Sequence, residues 1–457
     1  MFLKKHVKKR IEKLLERFPQ FNQEILDRHV LEIIKGSSLA FGLKILGTLL
    51  RYAFILIISR RCGPKGVGIY SLSLIFLTLL GIFAGLGFSV SVLRLIPQWI
   101  SEKKQGLIKQ FYLYLLKITI TASLVLSAVL FFFSDTIVHR LFKDSSLSTG
   151  IIIVILLLPL FVVGRVSTEI LRAFKNIKAY EFLRDVNLPL IGILIFLLLS
   201  FFLKNDSLPF FSYSISIMIT SIVAIWFVSK TIMMVPSDRI SLLPKKKILK
   251  ISSPMIIGDL IQIYMGKVDT IFLGIFCSIE DAGLYEIVFR LAGATTFILG
   301  SINIISAPKF AELYWSNNLK DLQKILKFST RVMFFISAPV FLIFILMPSI
   351  CLSLFGDGFK RGGTALVLLS FGQFFNTICG SVGSLMNMTG KQNVIQNLII
   401  LSILLNLLLD YLLIPKFGIN GAAVSSMTSI ILLNGAATFY VWKVLKIKTI
   451  YFPLLTK

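Results

Sequence analysis

The chain has 457 residues, 56% hydrophobic and only 15% charged, with 40 phenylalanines and a mean hydropathy of +0.86. So few polar groups cannot cover a water-soluble protein of this size, and lipid must be the solvent. A net charge of +26 would point to nucleic acid in a soluble chain; here the basic residues sit between apolar runs, where they report topology, and no nucleic-acid partner is expected.

In chain order, residues 1–36 read as a cytoplasmic basic amphipathic segment, with Leu3, Val7, Ile11, Leu14 and Leu15 on one face and Lys4, Lys8, Lys9, Arg10 and Lys13 around it. Such a segment suits an anionic leaflet. Twelve apolar runs long enough to cross about 30 Å of hydrocarbon follow. They fall at roughly 37–59, 67–93, 111–134, 149–168, 186–203, 209–229, 251–277, 283–306, 329–350, 364–386, 394–413 and 421–442. The reading is an all-α polytopic membrane protein. An N-terminal six-helix lobe over 37–230 is joined by a cytoplasmic linker at 231–250, which carries Pro236, Pro244 and Lys245-Lys246-Lys247, to a second six-helix lobe over 251–445; residues 446–457 form a cytoplasmic tail.

The two lobes repeat one another. Cys62, Gly68, Tyr70 and Gly85 recur at one offset, 215 residues, as Cys277, Gly283, Tyr285 and Gly300, and Leu141-Phe142-Lys143-Asp144 is echoed by Leu354-Phe355-Gly356-Asp357 at an offset of 213. Six spans per lobe give both the same orientation, so the repeat is parallel, with an axis along the membrane normal and one cleft between the lobes. Alternate loops and both tails hold most of the 48 Lys and Arg, which puts both termini on the cytoplasmic side of the cell membrane.

Catalytic and cofactor motifs are absent from the sequence. Thr389-Gly390-Lys391-Gln392 lacks the glycine spacing and the hydroxyl of a phosphate-binding loop. His6, His29 and His139 lie in tails or loops, and Cys62, Cys277, Cys351 and Cys379 have no ligand-like spacing. The chain is therefore expected to have no cofactor, no metal centre and no enzymatic reaction.

Six cations fall inside the apolar runs: Lys44, Arg51, Lys117, Arg165, Lys267 and Arg290. A cation at membrane depth costs about 2.5–3.5 kcal/mol and seldom faces lipid, so these form a candidate cationic cavity. Arg51 and Lys267, 216 residues apart, give each lobe one cation at similar depth, a pair suited to a phosphate or pyrophosphate. Arg165 with Glu169 and Arg290 with Glu286 have the i,i+4 spacing of neutralising pairs, and Lys44 and Lys117 are near enough to the inner surface to snorkel. Asp259, Asp269 and Asp410 are the buried acids, candidates for coupling to protons or sodium or for pairing with a cation.

Three segments carry a resemblance to a known family. Ser59-Arg60-Arg61-Cys62-Gly63-Pro64-Lys65-Gly66-Val67-Gly68-Ile69-Tyr70 resembles the segment closing the first span of polysaccharide transporter (Wzx-like) flippases of the multidrug/oligosaccharidyl-lipid/polysaccharide superfamily. Val268-Asp269-Thr270-Ile271-Phe272-Leu273-Gly274 with Ala282-Gly283-Leu284-Tyr285 resembles its second-half version, and Asn406, Asp410 and Leu413-Ile414-Pro415-Lys416-Phe417-Gly418-Ile419-Asn420-Gly421-Ala422-Ala423 is similar to a C-terminal family segment.

The resemblance implies a V-shaped bundle that moves a polyprenyl-pyrophosphate-linked glycan across the membrane by alternating access, in contact with membrane lipids and with polysaccharide polymerase or glycosyltransferases as candidate partners. The rival readings are a MATE-like multidrug or cation antiporter, whose cleft should be acidic, and a lipid II flippase, which has fourteen spans. A scaffold that transports nothing would have no reason to bury Arg51 and Lys267 at matching depths.

Overall fold

A computed structural model describes residues 28–203, 205–235 and 243–451. Most of the amphipathic segment and the centre of the linker, Pro236 included, lie outside them. Every regular element among the described residues is helical. The first half contains α1 (Arg28–Gly85), α2 (Phe88–Ser101), α3 (Gly106–Asp135), α4 (Ser148–Ala173), the short α5 (Ile177–Glu181), α6 (Leu188–Leu199) and α7 (Leu208–Met233). The second contains α8 (Lys245–Phe276), α9 (Ile279–Gly293), α10 (Phe297–Trp315), α11 (Leu319–Leu346), α12 (Pro348–Ser353), α13 (Gly363–Cys379), α14 (Val382–Met388), α15 (Gln392–Phe417) and α16 (Ile419–Tyr440).

Nine segments of the described residues are long and apolar enough to cross a membrane, where the sequence pattern predicts twelve runs. Two of the nine are far too long for one crossing. Gly42–Gly85 has 44 residues and Gln392–Leu445 has 54, roughly 66 and 81 Å of helix against about 30 Å of hydrocarbon. Each contains a glycine break. At Gly63 φ is +64°, a conformation that costs a side-chain-bearing residue steric energy, and Pro64, without an N–H, cannot continue the hydrogen-bond ladder. Gly418, with φ +53°, breaks the last pair. Helix α8, 32 residues long with Lys267 and Asp269 in its second half, lies outside the nine.

Outward faces are apolar: Phe132, Phe201 and Leu156 are strongly exposed, as lipid-facing side chains must be. Between helices, small residues permit close approach and their hydroxyls cap carbonyls of neighbouring helices, as Ser127 Oγ does to the Ile155 carbonyl at 2.8 Å and Ser402 Oγ to that of Ser429 at 2.7 Å. One buried cluster, including Phe54, Tyr70, Leu284, Tyr285 and Phe359, draws on both halves.

That shared cluster surrounds a contact between repeat-related residues. A Cβ on Gly68 would lie 2.0 Å from the Ile279 carbonyl oxygen, and a Cβ on Gly283 would lie 2.0 Å from that of Pro64. Residues 64 and 68 recur at the 215-residue offset as 279 and 283, so the two contacts are images of one another about the pseudo-twofold axis. The second repeat joins the same seal: Arg60 Nε donates to the Leu354 carbonyl at 2.7 Å, and Gly274 packs against the Phe142 ring. The molecule is closed at this end.

At the opposite end the symmetry is broken. Helix α8 packs against α2, where Gly87 lies against the Ser252 carbonyl. The matching pair, the first half of α1 and α10, is not a packed interface among the described residues. It leaves Leu46, Leu49, Phe297 and Ile304 exposed.

Because a β-carbon cannot fit at the seal, Gly68→Val should force the closed end apart while leaving each half's own core intact. In a cysteine-free background, Ser71→Cys, just below the seal and 3% exposed in the native chain, should become reactive to a polar maleimide when Gly68→Val is added. Equal labelling with and without Gly68→Val would show that the glycine contact does not hold this end closed.

Candidate functional site: a cationic cleft between the halves

The most buried charge in the cleft is negative. Glu286 on α9 has a side chain only 1% exposed, and it accepts from Lys267 Nζ at 2.7 and 2.8 Å and from Arg290 Nε at 2.7 Å. Lys267 comes from α8; Arg290 is one turn beyond Glu286. A carboxylate removed from water this completely is tolerated because its partners are charged and hydrogen-bonded. Two cations share one anion, and they are the exposed members, at 33% and 27% of their side chains. The cluster therefore presents a surplus positive charge to a cavity of about 110 Å³, closed on its other side by Tyr70, Ser71, Leu74, Ile75 and Thr78 of α1. It lies between the halves.

Arg51 approaches the same region from the first half. Its Nη1 donates to Asp185 Oδ1 at 2.6 Å and its Nη2 to Thr48 Oγ1 at 3.3 Å. Asp185 belongs to a π-helical stretch, Phe182–Asn187, ahead of α6. The wider π turn is a local feature often found at functional sites, and its backbone here lies so near α1 that a Cβ on Gly47 would meet the Asp185 carbonyl at 2.3 Å. Next to Arg51, Tyr52 donates to the Arg290 carbonyl at 3.3 Å, and Tyr213 lies within electrostatic reach of both Arg51 and Arg290. Arg51, Lys267 and Arg290 thus belong to one region, each neutralised in part by a carboxylate of its own half.

The i,i+4 pairing holds for Arg290 with Glu286 and fails for Arg165 with Glu169. Arg165 instead reaches across to Asp259 of α8, at 3.4 Å. Glu169 is held by the Tyr180 hydroxyl at 3.2 Å, Arg172 at 3.5 Å and Arg184 at 3.6 Å, so its oxygens are already occupied. Arg165, Glu169 and Arg184 line a cavity of about 290 Å³ inside the first half, which meets the inter-half cavity at Thr78. Lys117 is exposed and stands outside these clusters, whereas Lys44, also exposed, lies within electrostatic reach of Glu181, which adjoins Asp185.

The three acids part company. Asp259 is taken up by Arg165, whereas Asp269 and Asp410 come together. The Asp269 carboxylate accepts from the Tyr285 and Ser426 hydroxyls. Asp410 is fully buried against Asp269, with Ser425 alongside. Ser426 also lines a cavity of about 300 Å³ formed by α9, α13, α15 and α16. Sequence reasoning missed Asp185, Glu181 and Arg184; their i,i+3 and i,i+4 spacing ahead of the fifth apolar run was the available signal.

The family model described as "Polysaccharide biosynthesis protein" matches residues 33–314, and the MatE model matches residues 254–412. The capsular polysaccharide biosynthesis protein CapF of Staphylococcus aureus is 23% identical over 417 residues, covering 86% of this chain and 95% of CapF. The probable flippase AglR of Haloferax volcanii is 26% identical over 167 residues, 36% of this chain and 35% of AglR. Among solved structures, lipid II flippase MurJ in an inward closed conformation aligns with a TM-score of 0.69 at 16% identity, covering 89% of this chain and 87% of MurJ. The fold is that of the multidrug/oligosaccharidyl-lipid/polysaccharide superfamily, and the chain, a multi-pass membrane protein, belongs to the polysaccharide biosynthesis protein family.

Proposed function

We propose that this protein is a flippase that carries a polyprenyl-pyrophosphate-linked oligosaccharide across the cytoplasmic membrane by alternating access. The observation that carries the reading is the surplus positive charge between the halves, where Lys267 and Arg290 share Glu286 and face a cavity walled by the other half. A pyrophosphate is the part of such a cargo that cannot cross hydrocarbon unaided, and Arg and Lys hold it by charge-assisted hydrogen bonds. The names of CapF, AglR and MurJ support the same reading.

With both termini cytoplasmic, the glycine seal lies on the outer side and the cleft opens inward. The unpacked side between α1 and α10 lets the polyprenyl chain stay in lipid while the head enters. The halves, 37–230 and 251–445, rock about the seal. The cycle moves the cargo without making or breaking its bonds, so the chain is a transporter and not an enzyme; glycosyltransferases supply the cargo and a polymerase consumes it on the far side. The MatE match favours a multidrug antiporter as a second reading. A cationic drug needs an acid facing the cleft, and here Glu286 and Asp185 are both covered by cations.

Energy enters through Asp269 and Asp410. Two adjoining buried carboxyls are stable only if a proton or another cation sits between them. Asp410→Asn keeps the shape and removes the charge, so flipping in proteoliposomes should continue while losing its stimulation by an imposed sodium or proton gradient. Undiminished stimulation would remove Asp410 from coupling.

Lys267→Ala leaves Arg290 on Glu286, so abundance should stay near normal while flipping falls by the equivalent of about 2–5 kcal/mol, the cost of losing a desolvated charge contact. Removing both cations strands the carboxylate and should deplete the folded protein. Adding Glu286→Gln should restore abundance and not transport. Recovery of flipping in that triple variant would show that these cations only support Glu286.

A further inference from the structure

The cavity in the second half, about 300 Å³ between α9, α13, α15 and α16, has no charged residue among the described residues of its lining. Its polar groups fall into two sets. Ser402, Ser426, Ser429 and Asn434 already have partners: the Ser429 carbonyl at 2.7 Å, the Asp269 carboxylate, the Ser425 carbonyl at 2.9 Å and the Ile430 carbonyl at 2.9 Å. The side-chain amides of Gln373 and Asn376 make no hydrogen bond among the described residues, and Asn406, 7% exposed, has a buried Nδ2 with no partner. Gln373 and Asn376 are half-buried and open to the cavity; the buried amide of Asn406 is of a kind rarely left unpaired, because it has surrendered water without replacement.

The scaffold does not require them. The first half builds its own cavity from the equivalent helices, and there the 213-residue offset places Leu160 and Val163 of α4 at the positions of Gln373 and Asn376. Helix packing is thus satisfied at these two positions without an amide, so Gln373 and Asn376 answer to something inside the cavity. That occupant is neither an anion, for lack of a cation, nor an alkyl chain, which would leave the amides unsatisfied.

We propose that this cavity is a sugar subsite, which takes one neutral pyranose ring of the cargo on the amides of Gln373, Asn376 and Asn406 with Phe289 as its apolar wall. The proposal rests on the flippase reading. Each amide offers donors and an acceptor, and each sugar hydroxyl both gives and accepts, so the two chemistries match without net charge. The volume is at the small end of ligand pockets, about 300–1,000 Å³, and suits one ring rather than an oligosaccharide. Position follows from α9: Phe289 immediately precedes Arg290, so a single turn shows its cation to the inter-half cavity and its ring to this one. A sugar bonded directly to a pyrophosphate reaches from one to the other. The longer glycan remains in the cleft, and only the first ring is read.

The test uses the full chain in nanodiscs and three radiolabelled probes: a polyprenyl pyrophosphate without sugar, and the same lipid bearing one glucose or one N-acetylglucosamine. The native protein should bind at least one glycosylated lipid about tenfold more tightly than the bare lipid. Gln373→Leu/Asn376→Leu should abolish that preference and still bind the bare lipid normally, which serves as its folding control. Gln373→Leu and Asn376→Ser singly should each reduce the preference about threefold, so the test survives if the double variant misfolds. No preference in the native protein, or a preference retained by the variants, overturns the proposal. A variant effect on sodium dependence without any sugar preference would make the cavity a cation site and overturn it also. Failure of the native protein to bind any of the three lipids would instead overturn the flippase reading.

Discussion

The shared carboxylate of Glu286 is the interaction on which the rest of the cleft depends. A lone cation at membrane depth is expensive, and two beside each other would repel; a buried anion between Lys267 and Arg290 removes both objections. The cost is a carboxylate almost wholly withdrawn from water, which is stable only while both partners stay in place. The result is a rigid arrangement with one uncompensated positive charge, presented at the interface between the halves and available to an anionic headgroup.

The halves meet around that charge in two different ways. At the sealed end the pseudo-twofold axis passes between Gly68 and Gly283, where helices approach so closely that no side chain fits. At the other end α8 leans on α2 and is tied to α4 by the Arg165–Asp259 pair, while α1 and α10 stay apart. Sequence symmetry combined with one-sided packing is what a rocking bundle needs: the seal can be exchanged for its counterpart at the opposite end with little change inside either half. An ion pair at 3.4 Å, with both side chains partly exposed, is weak enough to break in such a cycle.

Much of this was legible in the chain. The repeat located the seal, because Gly68, Gly283, Phe142 and Leu354 are the residues that touch across it. The cost of intramembrane charge singled out six cations, and three of them, Arg51, Lys267 and Arg290, lie in one region. Partnerships were less readable. Helical spacing offers Glu169 to Arg165, but the tilt of α8 that delivers Asp259 is a tertiary fact with no local signature. Asp185 was hidden for a related reason: a π turn shifts the face on which it lies, and the 3.6-residue period used to find spans passes over it. Lys117 shows the limit of the cost argument, since a long side chain near an interface can reach water without entering any cleft.

Charge on the carrier lipid, rather than its hydrocarbon chain, admits cargo to the cleft. The most direct measurement is translocation in proteoliposomes of one oligosaccharide on two carriers, a polyprenyl pyrophosphate and an uncharged polyprenyl glycoside of the same chain length. The protein should move the first and leave the second behind. Equal rates for the two would contradict the central claim that the positive surplus on Lys267 and Arg290 recognises the cargo.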